Sequence, residues 1–173
     1  MERFDSCLVD QAKDPGLIFD FGANVGQYGI IAALRGHHAI LWEAMNLTAS
    51  LAWKTAILNG LGEKVVVFQN AISDFRGEIK IKMPFTNTGK ATLVPGGETR
   101  NQTATEAREL VQSVGVGFIN DFIRHIPLTS SLPLHAVKID VEGQELHALS
   151  RSSEMWRLLK PRLFLMEVTP SRL

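Results

Sequence analysis

The sequence contains a single cysteine, a single tyrosine and no excess of charge of either sign. Cys7 has no second cysteine to pair with, and no cysteine and histidine residues have the spacing of a zinc site, so we predict no metal centre and a reducing, cytoplasmic compartment. The 18 basic and 18 acidic side chains cancel, which removes the positive field that non-specific binding of nucleic acid or an anionic membrane requires. We therefore expect a small-molecule partner, and neither nucleic acid nor a membrane.

Long apolar segments are lacking as well. Runs such as residues 29–34 are far shorter than the roughly 18 to 20 residues that cross a bilayer. Residues 1–6 carry acids where a signal peptide needs a basic segment, so the sequence predicts no secretory signal. With 173 residues, of which 45% are hydrophobic, the chain is predicted to form one soluble domain with a substantial core.

Short apolar runs alternate with helical periodicity in the first half of the chain. The elements predicted there are a strand at 17–21, a helix at 26–35, a strand at 39–43, a helix capped by Asn46 that ends at 59, and a strand at 64–68. Right-handed crossovers build such an order into a parallel sheet covered by helices. The predicted fold class is therefore α/β and Rossmann-like, with a mostly parallel central sheet and helices on both faces.

The second half of the chain is less regular. Residues 77–83 alternate polar and apolar side chains, which predicts a half-exposed strand at a sheet edge or in a hairpin. Residues 84–117 are rich in Thr, Asn and Gly, and we predict an insertion or lid with one helix that begins at the capping-box pattern of Thr103. The remaining predicted elements are a helix at 120–126, a strand at 134–141, a helix after Gly143 and a strand at 161–168.

A glycine-containing loop follows the first predicted strand. Gly22 and Gly26 lie in it, Asp20 lies at the end of the strand that precedes it, and Glu43 ends the second strand. Ligands of an open parallel sheet bind outside the carboxyl ends of the strands, so these residues are expected at one cleft. The glycines allow a tight turn and a close approach of the backbone to a ligand, and the amides of the next helix attract an anion. The pattern therefore predicts a nucleotide-type cofactor site.

The spacing of the loop distinguishes between two kinds of cofactor. A dinucleotide fingerprint is G-x-G-x-x-G, whereas the glycines here are at positions 22, 26 and 29. Asp20 would repel a pyrophosphate and attract an ammonium, which favours the zwitterion S-adenosyl-L-methionine. The carboxylate of this cofactor would face the helix N-terminus. Glu43, 23 positions after Asp20, is expected to accept hydrogen bonds from two ribose hydroxyls. Alternatively, Glu43 is a solvated acid after a strand.

Four segments and the acid at Glu43 match the motifs of one enzyme family. The segments are Asp20-Phe21-Gly22-Ala23-Asn24-Val25-Gly26-Gln27-Tyr28, Asn59-Gly60-Leu61, Asn70-Ala71-Ile72-Ser73-Asp74 and Val137-Lys138-Ile139-Asp140-Val141-Glu142-Gly143-Gln144-Glu145. With these motifs the chain resembles the FkbM-type methyltransferases. The resemblance implies a domain that uses S-adenosyl-L-methionine, in this family mostly for O-methylation.

The loop and the resemblance together give a set of candidate cofactor-binding residues. They are Asp20, Gly22, Ala23, Asn24, Gly26, Glu43, Asn70, Ala71 and Ile72. The resemblance implies that the last three lie near the adenine; alternatively, Asn70 only terminates a strand. It also implies that Asp140 and Glu142 lie beside the transferred methyl group.

Asp140 and Glu142 are the candidate catalytic residues. A hydroxyl acceptor must lose its proton, and either carboxylate is predicted to be the general base, with its pKa tuned by the other or by Lys138. Lys138 and Asp140 share one face of a strand, so we expect a local ion pair. The alternative is structural, with both acids favoured at a helix N-terminus and satisfied by Lys138.

The sequence ends soon after the fifth predicted strand, whereas methyltransferase sheets usually continue. We therefore expect the C-terminal strands 6 and 7 to be missing and strand 5 to be an apolar edge, in a fragment, in an incomplete gene or in a homodimer that covers this edge. The single domain, residues 1–173, is divided into a cofactor-binding half at 14–83, the insertion at 84–117, and a segment at 118–173 with strands 4 and 5.

Three functional hypotheses stay open at this point. The first is an enzyme that methylates a hydroxyl on a small molecule or sugar. The second is a catalytically degenerate domain or fragment that binds S-adenosyl-L-methionine without turnover. The third is an NAD-dependent oxidoreductase, which Asp20 and the glycine spacing disfavour.

Overall fold

The computed structural model of the chain describes residues 14–84, 92–94, 109–126 and 132–167. Within these residues the elements are β1 (Leu17–Phe21), α1 (Gln27–Leu34), β2 (His38–Trp42), α2 (Asn46–Leu58), β3 (Val65–Phe68), β4 (Ala71–Ile72), β5 (Gly77–Pro84), β6 (Thr92–Val94), β7 (Glu109–Gly117), α3 (Ile119–His125), β8 (Leu134–Ile139), α4 (Glu145–Ser150), a π-helical segment (Met155–Leu159) and β9 (Leu163–Met166). No helix among them is long and apolar enough to cross a membrane.

The larger of two described sheets has five parallel strands in the order β3-β2-β1-β8-β9. The chain builds outward from β1 to β3, then returns to the other side of β1 with β8. The strand order therefore reverses between β1 and β8, and such a switch point leaves a crevice at the carboxyl ends of the strands. The predicted α/β class with a mostly parallel sheet is confirmed.

The core lies on both faces of this sheet because β1 is buried at every position. Ile18 packs with Leu41 and Ala52 on the face covered by α1 and α2. Phe21 and Trp42 point to the opposite face, where their rings stack with centroids 4.3 Å apart. Since both faces are covered at β1, a ligand can reach this central strand at its end among the described residues.

A second sheet has the described strand order β4-β7-β5-β6. β5 pairs antiparallel with β6 and with β7, and β4 pairs parallel with β7. The strand predicted at 77–83 therefore has a hairpin partner, but it lies between two strands and not at an edge. The described part of the insertion predicted at 84–117 forms β6 and β7, and the helix predicted from Thr103 lies outside the described residues.

The start of α2 differs from the prediction. Asn46 is the first helical residue and not the cap; Met45 occupies the cap position, and no cap side chain bonds to the helix. Glu43 supplies acceptors instead, for the amide of Met45 at 2.8 Å and the hydroxyl of Thr48 at 2.9 Å. Gln112 of β7 accepts the amide of Asn46 at 3.0 Å. Glu43, which is near in sequence, and Gln112, which is distant, therefore satisfy this helix end.

Candidate active site

A cleft opens at the carboxyl ends of β1, β2 and β8. It encloses about 1080 Å³ of empty space when its open mouth is included. The predicted residues in its lining are Gly22, Ala23, Asn24, Glu43, Asn70, Ala71, Ile72, Asp140 and Glu142. Sequence motifs 120 residues apart in the chain therefore meet at one site. Asp20 and Gly26 are not part of the lining.

The loop after β1 approaches its neighbours closely at Gly22. The Gly22 amide donates to the carbonyl of Trp42 at 2.8 Å, and φ of Gly22 is +76°. A Cβ at this position would overlap the carbonyl oxygen of Asp140. Gly26, at φ +81°, faces the core instead, where a Cβ would press on Leu41. Gly22 therefore brings the two sides of the cleft together, and Gly26 lets α1 pack on the sheet.

Glu43 organises the cofactor side of the cleft with both carboxylate oxygens. Its Oε2 accepts a hydrogen bond from the amide of Asn24 at 2.8 Å, which connects the end of β2 to the loop after β1. Its Oε1 accepts the amide of Met45 and the hydroxyl of Thr48. The side chain is buried, with 8% of the residue exposed, yet it lines the cleft. Oε2 thus keeps capacity for a further donor, whereas the two bonds to Oε1 use its lone pairs.

Asp20 occupies a different position from the one expected for an ammonium ligand. It is fully buried, and Oδ2 accepts the amide of Gly29 at 3.2 Å. Oδ1 lies 3.2 Å from Nζ of Lys138 without a directed hydrogen bond, so this contact is ionic. Asp20 is not among the residues that line the cleft, and its carboxylate faces Lys138; its role as a ligand of the ammonium stays a prediction.

Lys138 is the cation of the site. Its ammonium lies 3.4 Å from Oδ2 of Asp140, which confirms the expected ion pair, and it donates to the carbonyl of Gly22 at 2.8 Å. Burial raises the pKa of Asp20, against the opposing effects of Lys138 and the Gly29 amide. Burial alone would lower the pKa of Lys138, but Asp20 and Asp140 outweigh it and raise this pKa. Lys138 is therefore held in its charged form.

Backbone strain marks the same cleft. Asn24 at φ +53° and Glu142 at φ +54° have left-handed conformations and both line it. Glu145 supports the loop that follows β8, since its Oε1 accepts the amides of Val141 at 3.1 Å and Gly143 at 2.9 Å. Strained residues of this kind persist where the surroundings enforce them, and they concentrate at functional sites.

The second sheet closes the side of the cleft where Asn70, Ala71 and Ile72 lie. Asn70 donates to the carbonyl of Gly115 in β7 at 3.4 Å. Ile81 of β5 adds an apolar wall. These contacts make a slot with apolar sides and one amide, which is suited to a flat ring with polar edges.

Sequence reasoning missed several residues of the cleft. Gln27, Tyr28, Trp42 and Gln144 also line it. Three of them, Gln27, Tyr28 and Gln144, stand inside the motifs quoted above, close in sequence to the predicted residues, and this proximity was the available signal. Glu167 follows β9 near Asp140, and the hydrogen bond and the charge of Asp140 raise the pKa of Glu167. The sequence signal for Glu167 was its position at the end of the predicted fifth strand, because the ends of neighbouring parallel strands lie at the same edge of a sheet.

The fold is similar to solved methyltransferase structures. Methyltransferase FkbM from Methylobacillus flagellatus KT matches with a TM-score of 0.54 and 16% identity, over 92% of this chain and 36% of that one. The C-terminal domain of precorrin-6Y C5,15-methyltransferase from Rhodobacter capsulatus matches with a TM-score of 0.52 and 15% identity, over 96% of this chain and 61% of that one. No protein-family model and no curated protein matches the chain. This chain spans less than two thirds of either structure, and the similarity shows that it has the Rossmann-like methyltransferase fold.

Proposed function

We propose that the chain binds S-adenosyl-L-methionine and transfers its methyl group to a hydroxyl on a small molecule or sugar. The observation that carries the proposal is the convergence of the glycine loop, Glu43, Asp140 and Glu142 on one cleft at the switch point of the sheet. The solved structures with the same fold are named as methyltransferases, which supports this choice.

The residues of the cleft fit such a cofactor. Oε2 of Glu43 has a lone pair for a ribose hydroxyl. The slot between Asn70 and Ile81 offers apolar walls and an amide for a purine ring. With Asp20 turned towards Lys138, the carboxylates that line the cleft and can meet an ammonium are Glu43, Asp140 and Glu142.

The chemistry then depends mainly on alignment. When bound, S-adenosyl-L-methionine supplies a methyl group already activated by its sulfonium. The chain must hold the acceptor in line with that group, and proximity supplies several kcal/mol of the barrier. In this proposal one oxygen of Asp140, whose side chain is one third exposed, accepts the proton of the acceptor hydroxyl, while Lys138 contacts the other oxygen. Glu142 on the adjoining loop is the second candidate base.

Calorimetric titration with S-adenosylhomocysteine, which is the cofactor without its transferred methyl group, tests the cofactor assignment. We expect saturable one-to-one binding, and absence of binding by the purified chain would contradict it. A parallel titration with NAD serves as a comparison, because tighter binding of NAD would favour an oxidoreductase.

Transfer is tested with methyl-labelled cofactor and a panel of hydroxyl acceptors. Asp140→Asn is expected to lower turnover by about 10²- to 10⁴-fold, the usual contribution of a general base, and to change the affinity for S-adenosylhomocysteine far less. Full turnover in this variant would exclude the role of Asp140 as base. Cofactor binding without transfer to any acceptor would favour the degenerate, non-catalytic domain.

A further inference from the structure

Lys138 lies where three parts of the site meet. Its Nζ is 2.8 Å from the carbonyl oxygen of Gly22, 3.2 Å from Oδ1 of Asp20 and 3.4 Å from Oδ2 of Asp140. These acceptors belong to the loop after β1, to β1 itself and to the end of β8. The contact with Gly22 is a hydrogen bond, and the contacts with the two carboxylates are ionic.

The register of the sheet creates this arrangement. Asp20 and Lys138 are paired positions of the neighbouring strands β1 and β8, so their side chains share one face. Asp20 also accepts the amide of Gly29, which extends the connection into α1. The ring of Tyr28, in the first turn of that helix, lies 5.4 Å from the ammonium. The cation is thus enclosed between the two strands that flank the switch point.

Burial makes the pair effective as a positioning device. The side chain of Lys138 is 5% exposed and that of Asp20 is fully buried. Neither charge can exchange its partner for water, and removal of one partner leaves an uncompensated buried charge. The two sides of the cleft are therefore held relative to each other by a contact that solvent and salt screen much less than a surface ion pair.

We infer that Lys138 is a positioning residue which holds the Gly22 loop and Asp140 in one geometry, and that Asp20 is its buried counter-ion and not a ligand of the cofactor. Asp20 keeps the ammonium of Lys138 in place, and this ammonium in turn holds the carboxylate of Asp140 in the cleft. The inference rests on the proposed function for the identity of the cofactor, but the positioning itself is a property of the free chain.

A double variant separates positioning from stability. Lys138→Met and Asp20→Asn each break the pair and are expected to lower Tm. Asp20→Asn combined with Lys138→Met removes both charges, and such replacement of a buried pair commonly restores stability. We expect the double variant to regain Tm while its affinity for S-adenosylhomocysteine, measured by calorimetry, stays at least about tenfold weaker than wild type. Affinity that recovers together with Tm would show a purely structural pair and overturn the inference.

Lys138→Arg covers the case in which the double variant does not fold. It keeps a buried cation beside Asp20, but the donors of a guanidinium are fixed in one plane and cannot meet three acceptors around a point. We expect a folded protein with at least about tenfold weaker binding. Wild-type affinity in this variant would overturn the inference. Arg76→Met is the matched control, because it breaks the ion pair of Arg76 with Asp121, 2.6 Å long and outside the cleft lining.

Amide hydrogen exchange without ligand distinguishes this inference from the proposed function. The amides of residues 22–26 and 140–143 are expected to exchange at least about tenfold faster in the Lys138 variants that fold, while Val114 and Val116 of the second sheet keep wild-type rates. Unchanged exchange at both loops would overturn the positioning role. A wild-type chain that fails to bind S-adenosylhomocysteine would contradict the proposed function and leave this exchange test standing.

Discussion

At the scale of single residues, Glu43 combines a structural and a binding role. One oxygen holds the start of α2, and the other holds the amide of Asn24 while it faces the cleft. The carboxylate is therefore orientated before any ligand arrives. Preorganisation of this kind lowers the entropy lost on binding.

Glu43→Ala is expected to weaken the binding of S-adenosylhomocysteine by at least about tenfold. Hydrogen bonds to a charged group contribute about 1.5 to 3 kcal/mol each, and the variant also releases the amide of Asn24. Calorimetry is the measurement. Glu78→Ala, an exposed acid of β5, is the control and should bind as wild type does. Equal affinities of the two variants would remove Glu43 from the binding site.

The surroundings of His37 predict a dependence of stability on pH. It is 3% exposed, and its ring centroid lies 5.5 Å from that of His135. Burial, together with His135 and Lys64, lowers the pKa of His37 below its ordinary 6.5. The unfolded chain therefore binds a proton at His37 more readily than the folded chain does. The contribution of neutral His37 to the free energy of unfolding is fully present above about pH 6.5, and it is lost as the pH falls from there towards the pKa of His37 in the folded chain.

We therefore expect Tm of the wild type to fall between about pH 7.5 and about pH 5 more steeply than Tm of His37→Gln. Differential scanning calorimetry at several pH values measures both slopes. Identical slopes would show that His37 does not carry the effect.

Asp20 shows where inference from sequence stops at this scale. The residue type and its place at the end of β1 were correctly recognised from the sequence, but the direction of its carboxylate depends on the pairing of Asp20 with Lys138. That pairing joins residues more than a hundred positions apart, and no local pattern contains it. Glu43, by contrast, was predicted to reach the cleft and does so.

At the scale of elements, the turn after β1 joins the two halves of the site. Gly22 takes a left-handed conformation against the carbonyl of Asp140, and a side chain has no room there. Both backbone strain and steric overlap therefore act at one position. Gly60 has a similar φ of +71°, but no atom lies within 4 Å of the place its Cβ would occupy.

Gly22→Ala is expected to lower Tm more than Gly60→Ala and to abolish the binding of S-adenosylhomocysteine. Gly60→Ala carries only the left-handed strain of about 1 to 2 kcal/mol, a loss of about 2 to 8 °C in Tm. Gly22→Ala adds the displacement of Asp140. Thermal melts and calorimetry of the pair measure the difference. Equal losses in both variants would refute the close approach at Gly22.

The elements of the first half were predictable because their signals are local. The apolar run of β1 gave its observed bounds, and the helical repeats located α1 and α2. The second sheet was not predictable in the same way. β7 contains Gly115 and Gly117, which weaken a strand pattern, and its pairing with β5 joins a strand that precedes the predicted insertion to a strand within it.

At the scale of the whole molecule, β9 forms an edge of the five-stranded sheet within the described residues. Phe164 is 37% exposed and Leu165 is 36% exposed, and Trp156 packs edge-on against Phe164 at 5.1 Å. An exposed apolar edge tends to pair with another strand.

We therefore predict a homodimer that pairs through β9. Light scattering is expected to give twice the chain mass for wild type and one chain mass for Phe164→Lys, because a charge at an edge blocks strand pairing. Val66→Lys, at a 48% exposed position of the opposite edge strand β3, should stay dimeric. A monomeric wild type, or loss of the dimer in both variants, would contradict this mode of association.

The glutamine of β7 has a consequence for engineering. Gln112 donates to the carbonyl of Ala44 at 2.9 Å and accepts the amide of Asn46 at 3.0 Å, so one side chain fastens the second sheet to the segment after Glu43. A library of variants that seeks new methyl acceptors should therefore retain Gln112, so that this attachment of the second sheet stays constant.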